Sequence, residues 1–170
     1  MFSSSSLFRF IALIGLIAIE AVLAAPSAPS ASTVKTQALA AHNNYRTSHH
    51  VPELKWSNKL AEHAKNVSSS CVYQLNRMEG TGQNIAYGYS SMKAAIDAWY
   101  KQSAYYKYGE SQPSDGKSTN SFTQVVWKGT TEVGCAATYC PNLRDSIFYV
   151  CDYSPPGNIR GKYAENVFQP

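Results

Sequence analysis

His42, Arg46 and His49 stand at positions i, i+4 and i+7, so a helix would present all three on one face. Two imidazoles at that spacing can ligate a metal or move a proton. The guanidinium between them is a fixed cation and argues against a cation site, and a structural hydrogen-bond network around one helix is the better reading. His50 and His63 read as surface residues. Ser121 would act as a nucleophile only with a histidine base and a third, orienting group, and no spacing in the chain supplies them. Glu79 and Asp97 form no recognisable carboxylate pair. No catalytic residue is assigned.

The four cysteines, Cys71, Cys135, Cys140 and Cys151, make up an even set without a Cys-x-x-Cys pair, which favours two disulfides over a zinc or redox site. Glu132 to Tyr139 and Ser146 to Tyr153 carry the residues of β-strands, and the segment 141–145 (PNLRD) reads as their hairpin loop. If Cys140 pairs in register with Ser146, Cys135 lies opposite Cys151. Cys135 and Cys140 then point to opposite faces, because their spacing is odd. The expected bridges are Cys135–Cys151 and, by elimination, Cys71–Cys140, each contributing about 2–4 kcal/mol.

Three helical patterns must position these groups. Thr33 can cap the first, with Val34, Ala38, Ala41, Tyr45 and His49 recurring at helical spacing. Ser57 can cap a second carrying Leu60, Ala64, Val67 and Cys71. Ser91 can cap a third carrying Met92, Ala95, Ile96, Trp99, Gln102 and Tyr106. Residues 83–89 (QNIAYGY) read as a short strand. Helices and strands that do not alternate as βαβ units predict an α+β layered domain.

The N-terminus points to secretion. Arg9 precedes an apolar run from Phe10 to Leu23 and then Ala24 and Ala25, the pattern of a signal peptide over residues 1–24. A membrane anchor is the disfavoured alternative, since the run is short and contains Glu20. Residues 25–32 read as a Pro/Ser/Ala linker and residues 33–170 as one domain. Asn66 opens a glycosylation sequon with Ser68. Fifteen Lys and Arg against eleven Asp and Glu give a net charge of +4, scattered rather than clustered, so no nucleic-acid surface is expected.

Six motifs, in order, resemble the CAP superfamily of cysteine-rich secretory, antigen 5 and pathogenesis-related class 1 proteins. They are His42-Asn43-x-x-Arg46-x-x-His49; Pro52-x-Leu54-x-Trp56; Gly82-Gln83-Asn84-Ile85-Ala86; Trp99-x-x-Gln102; Phe122-Thr123-Gln124-Val125-Val126-Trp127; and Phe148 to Asn158. With the tail from Tyr163 to Val167, the arrangement is similar to fungal secreted members. The resemblance implies an α-β-α sandwich with an antiparallel sheet. It also implies a cavity of two histidines and two glutamates able to hold a divalent metal such as zinc. Here Gln83, Gln102 and Ser121 replace three of these, and the fourth falls near Leu75 or Asn76. Carboxamides and a hydroxyl are poor zinc ligands and do not titrate, so the expectation is no metal, no cofactor and no catalysis. A neutral hydrogen-bonded cluster could fill the cavity instead.

The resemblance further implies lipid ligands: sterol near an aromatic loop, here Tyr105 to Asn120, and fatty acid between helices. Tyr105, Tyr106, Tyr108 and Pro113 are the expected ligand contacts. Ser114, Asp115, Gly116 and Lys117 stand where the family pattern carries an aromatic, which makes fatty acid or another apolar molecule as plausible as sterol. Alternatively Tyr105 and Tyr106 close the core and Tyr108 is a solvated turn residue. The expected function is a secreted, non-enzymatic binder of a small apolar ligand, acting at a host–microbe interface and on a host or cell-wall component. A protein- or glycan-interaction effector is the alternative, and a metal-dependent or serine hydrolase is less favoured.

Overall fold

The two long strands, β3 (Glu132–Cys140) and β4 (Ser146–Ser154), are dense in Val, Ile, Tyr, Phe and Thr, residues that pack well on a pleated surface. They pair antiparallel, with Cys140 opposite Ser146 and Cys135 opposite Cys151, the expected register. In this computed structural model residues 27–109 and 118–170 are described; the expected signal peptide and Pro113 lie outside them.

The remaining elements are α1 (Ala31–Ser48), β1 (Lys55–Trp56), α2 (Asn58–Ser69), β2 (Gly82–Tyr87), α3 (Met92–Tyr100), α4 (Asn120–Val125) and α5 (Tyr163–Asn166). Among the described residues the sheet has four strands in the order β1-β3-β4-β2. Three are antiparallel, as expected, while the two-residue β1 runs parallel to β3 along its far edge. Two residues carry too little pattern to be read as a strand.

Alternation along the strands builds two cores. Val133, Cys135, Tyr149, Cys151 and Tyr153 face α1, α3 and α4, whereas Ala136, Cys140, Phe148 and Val150 face α2. Helices on both faces make a three-layer α-β-α sandwich. The disulfide Cys71–Cys140 ties the end of α2 to the sheet, with Cα atoms 5.4 Å apart, and Cys135–Cys151 spans the hairpin at 4.1 Å. Gly134 lets α2 seat on β3, since a Cβ there would overlap the backbone nitrogen of Ala61.

Helix α1 starts earlier than its pattern suggests. Ser30, not Thr33, is the cap, and its hydroxyl accepts from the Thr33 amide at 3.1 Å. Ala31 and Ser32, expected in the linker, are thus helical. Ser91 caps α3 as anticipated, accepting from the Ala94 amide at 3.0 Å. Beyond Tyr100 that helix tightens into a 3₁₀ turn, Lys101–Tyr105.

Candidate functional site

The face shared by His42, Arg46 and His49 is a structural hub. Arg46 is fully buried and donates to the carbonyls of Pro52 (2.7 Å), Val125 (3.1 Å), Trp127 (2.8 Å) and Thr130 (2.9 Å). One guanidinium thereby satisfies three loop carbonyls and one at the C-terminal end of α4, which lacks an intrahelical partner. His42 Nδ1 lies 2.8 Å from the Ala38 carbonyl and must carry the proton; Nε2 therefore accepts from the Tyr153 hydroxyl at 2.9 Å. Burial holds this imidazole down at about 4, so it is neutral. His49 bonds the Phe168 carbonyl and the Tyr100 hydroxyl in the same way, and burial lowers it too.

His63 is not a simple surface residue. Its Nδ1 lies 2.7 Å from Oδ2 of Asp152, whose side chain has no exposure to water. Asp152 Oδ1 accepts from Gln83 Nε2 at 2.8 Å. Burial raises the Asp152 carboxyl, and the bonds from His63 and Gln83 work against that rise. Sequence reasoning missed this pair, because residues 63 and 152 meet only when α2 lies across the sheet.

The four altered cavity positions fall into two pairs. Gln83 grips the backbone of Asn76, accepting from its amide at 2.8 Å and donating to its carbonyl at 2.9 Å. Gln102 Oε1 accepts from the amides of Ser121 (3.1 Å) and Phe122 (3.4 Å), so it caps the first turn of α4. Gln83 shares its strand face with Ile85, toward α2, whereas Asn84 faces α4 and donates to the Ser121 carbonyl at 3.0 Å. The pairs thus sit on opposite faces of β2, and instead of one neutral cluster the structure forms two backbone clasps.

An open cleft of about 790 Å³ runs along the outer edge of β2 between these clasps. Gln83, Gln102 and Ser121 line it, with Tyr73, Arg77, Tyr87 and Tyr89; the exposed Asn76 does not. No group of three His, Cys, Asp or Glu side chains is close enough for metal binding among the described residues.

The aromatic segment is divided. Tyr106 is buried, edge-on to Tyr108 and Phe122 at ring distances of 5.1 and 5.5 Å. Tyr108 is half-buried against His49 rather than solvated, and Tyr105 is 47% exposed rather than part of the core. A separate groove of about 460 Å³ lies between α1 and α3, lined by Thr36, Ala40, Ala41 and Tyr45 on one side and by Lys93 and Asp97 on the other. Tyr45 donates to Asp97 at 2.8 Å, and Lys93 bonds the other Asp97 oxygen at 2.8 Å, making one polar end. Asn66 is exposed on α2, while Ser68 of its sequon is buried, its hydroxyl 2.8 Å from that of Thr138.

Residues 39–153 match the model of the CAP family, described as the cysteine-rich secretory protein family. The chain belongs to the CAP family. Among curated relatives of this CAP chain, a probable pathogenesis-related protein of Arthroderma benhamiae is 41% identical over 144 residues, covering 76% of the chain and 47% of the relative. The secreted protein RBT4 of Candida albicans is 38% identical over 149 residues, covering 79% and 40%. This CAP chain thus spans less than half the length of those relatives. Among solved structures, MpPR-1i is 27% identical with a TM-score of 0.60, covering 75% of the chain and 95% of that protein.

Proposed function

We propose that this CAP protein is secreted and carries a small amphipathic lipid, a fatty acid before a sterol, in the groove between α1 and α3. One observation supports the reading: the alanines of α1 leave an apolar trough that ends at the Tyr45–Asp97–Lys93 cluster. An alkyl chain fits such a trough, and Lys93 has ammonium hydrogens left for a carboxylate headgroup. Secretion is supported by the leader-like N-terminus and by relatives named as secreted proteins. A role at a host–microbe interface rests on the names of the pathogenesis-related relatives.

In this reading the CAP domain binds no metal and catalyses nothing. The donor set does not fit zinc. Gln83 and Gln102 spend their carbonyl oxygens on backbone amides, and Ser121 offers a neutral hydroxyl.

Native mass spectrometry of the secreted protein, followed by titration with labelled palmitate and cholesterol, tests the proposal. Palmitate should bind stoichiometrically, and Ala40→Trp, which fills the trough from an exposed position, should abolish it. Failure of both lipids to bind would sink the carrier reading. Stoichiometric zinc would overturn the metal-free one.

A further inference from the structure

The cleft along β2 is chemically unlike the α1–α3 groove. Among the described residues its lining contains no Asp or Glu and one charged residue, Arg77, whose exposed guanidinium forms no ion pair with them. Four tyrosines, Tyr73, Tyr87, Tyr89 and Tyr163, are among its lining residues. Tyr73 is 50% exposed yet held from behind, with its ring edge-on to Tyr87 at 4.9 Å and to Phe148 at 5.9 Å. Tyr89 is 39% exposed, and its carbonyl is pinned by the Tyr149 hydroxyl at 3.1 Å. Tyr73 is thus a ring held in place and open to solvent, and Tyr89 an exposed ring on a pinned backbone.

The same cleft is lined by polar groups with capacity to spare. Gln102 uses its oxygen on α4 and keeps both amide hydrogens without a partner among the described residues. Asn84, 4% exposed, gives its amide hydrogens to Ser121 and Tyr153 and keeps its carbonyl oxygen. The Ser121 hydroxyl can donate and accept. Donors and acceptors thus stand side by side, and the described lining residues carry no negative charge that would attract a metal or a cationic ligand.

We infer that the β2 cleft is a carbohydrate site that takes a short gluco-configured oligosaccharide. A sugar with equatorial hydroxyls shows a flat C–H face, which packs on a tyrosine ring, and a rim of hydroxyls, each both donor and acceptor. Tyr73 and Tyr89 supply the platform; Gln102, Asn84 and Ser121 read the rim. An alkyl chain would leave these amides desolvated and unpaired. The volume lies within the range of about 300–1,000 Å³ usual for small-ligand clefts. The site is independent of the α1–α3 groove, so the two readings can fail separately.

The test is calorimetric titration of the secreted protein with cellotriose, laminaritriose and chitotriose. At least one should bind saturably with a Kd below about 1 mM. Tyr73→Ala and Tyr89→Ala, both at exposed rings and checked for an unchanged melting temperature, should each weaken binding about fivefold or more. Palmitate should not compete. Absence of binding by all three sugars, or binding untouched by both substitutions, would overturn the assignment.

Discussion

Gln83 and Asp152 face each other across the β2–β4 ladder, and the Gln83 carboxamide donates to the buried Asp152 carboxylate at 2.8 Å. A carboxamide can do this at any pH, whereas a glutamate at position 83 would set a second negative charge against an unexposed one. The neutral residue therefore has a local structural reason, besides its effect on metal binding. Gln83→Glu should cost about 2–3 kcal/mol at pH 7 and recover on acidification, as like charges in a buried site cannot both ionise. Urea unfolding at pH 7 and pH 5 checks this, and equal stability at pH 7 would refute it.

Asp152 should also leave its mark on the pH profile of the native protein. Its folded-state pKa is raised by burial, so the folded state holds the proton more tightly than the unfolded one. Stability from this group is full below the unfolded value near 3.8 and is lost as pH rises through the raised folded value. Asp152→Asn should remove that loss, measured as a flatter stability curve above pH 4.

His42 works in the opposite sense. Its pKa is lowered from 6.5 to about 4, so its contribution is present above pH 6.5 and declines as pH falls toward 4. The shift corresponds to roughly 3 kcal/mol. His42→Gln should flatten this acid limb in urea titrations, whatever its effect at pH 7.

Arg46→Lys should destabilise the domain by about 3 kcal/mol or more, because an ammonium cannot reach four carbonyls fanned around a planar fork. The charge is retained, so the loss isolates geometry. Thermal denaturation provides the readout.

The two disulfides should differ in worth. Cys71–Cys140 closes 69 residues and Cys135–Cys151 closes 16, so on chain entropy their removal as paired serines should cost about 4 and about 3 kcal/mol. Equilibrium unfolding of the two double variants gives the comparison.

Local pattern determined much of this protein. Strand composition and the odd spacing of Cys135 and Cys140 were enough for the hairpin register and both disulfides, because side-chain alternation leaves few options. Ser91 and the spacing of Met92, Ala95, Ile96 and Trp99 announced α3, and the ordered motifs announced the family. Only the tertiary structure decided what those motif residues do. His63 meets Asp152 across 89 positions, and Gln83 and Gln102, which line one cleft, each clasp a different stretch of backbone, Gln83 at Asn76 and Gln102 at Ser121. Tyr106 enters the core while Tyr105, its neighbour, stays exposed. Such outcomes depend on which surfaces the sandwich layers bury and where an edge strand leaves its side open. These are long-range packing decisions that no local spacing encodes.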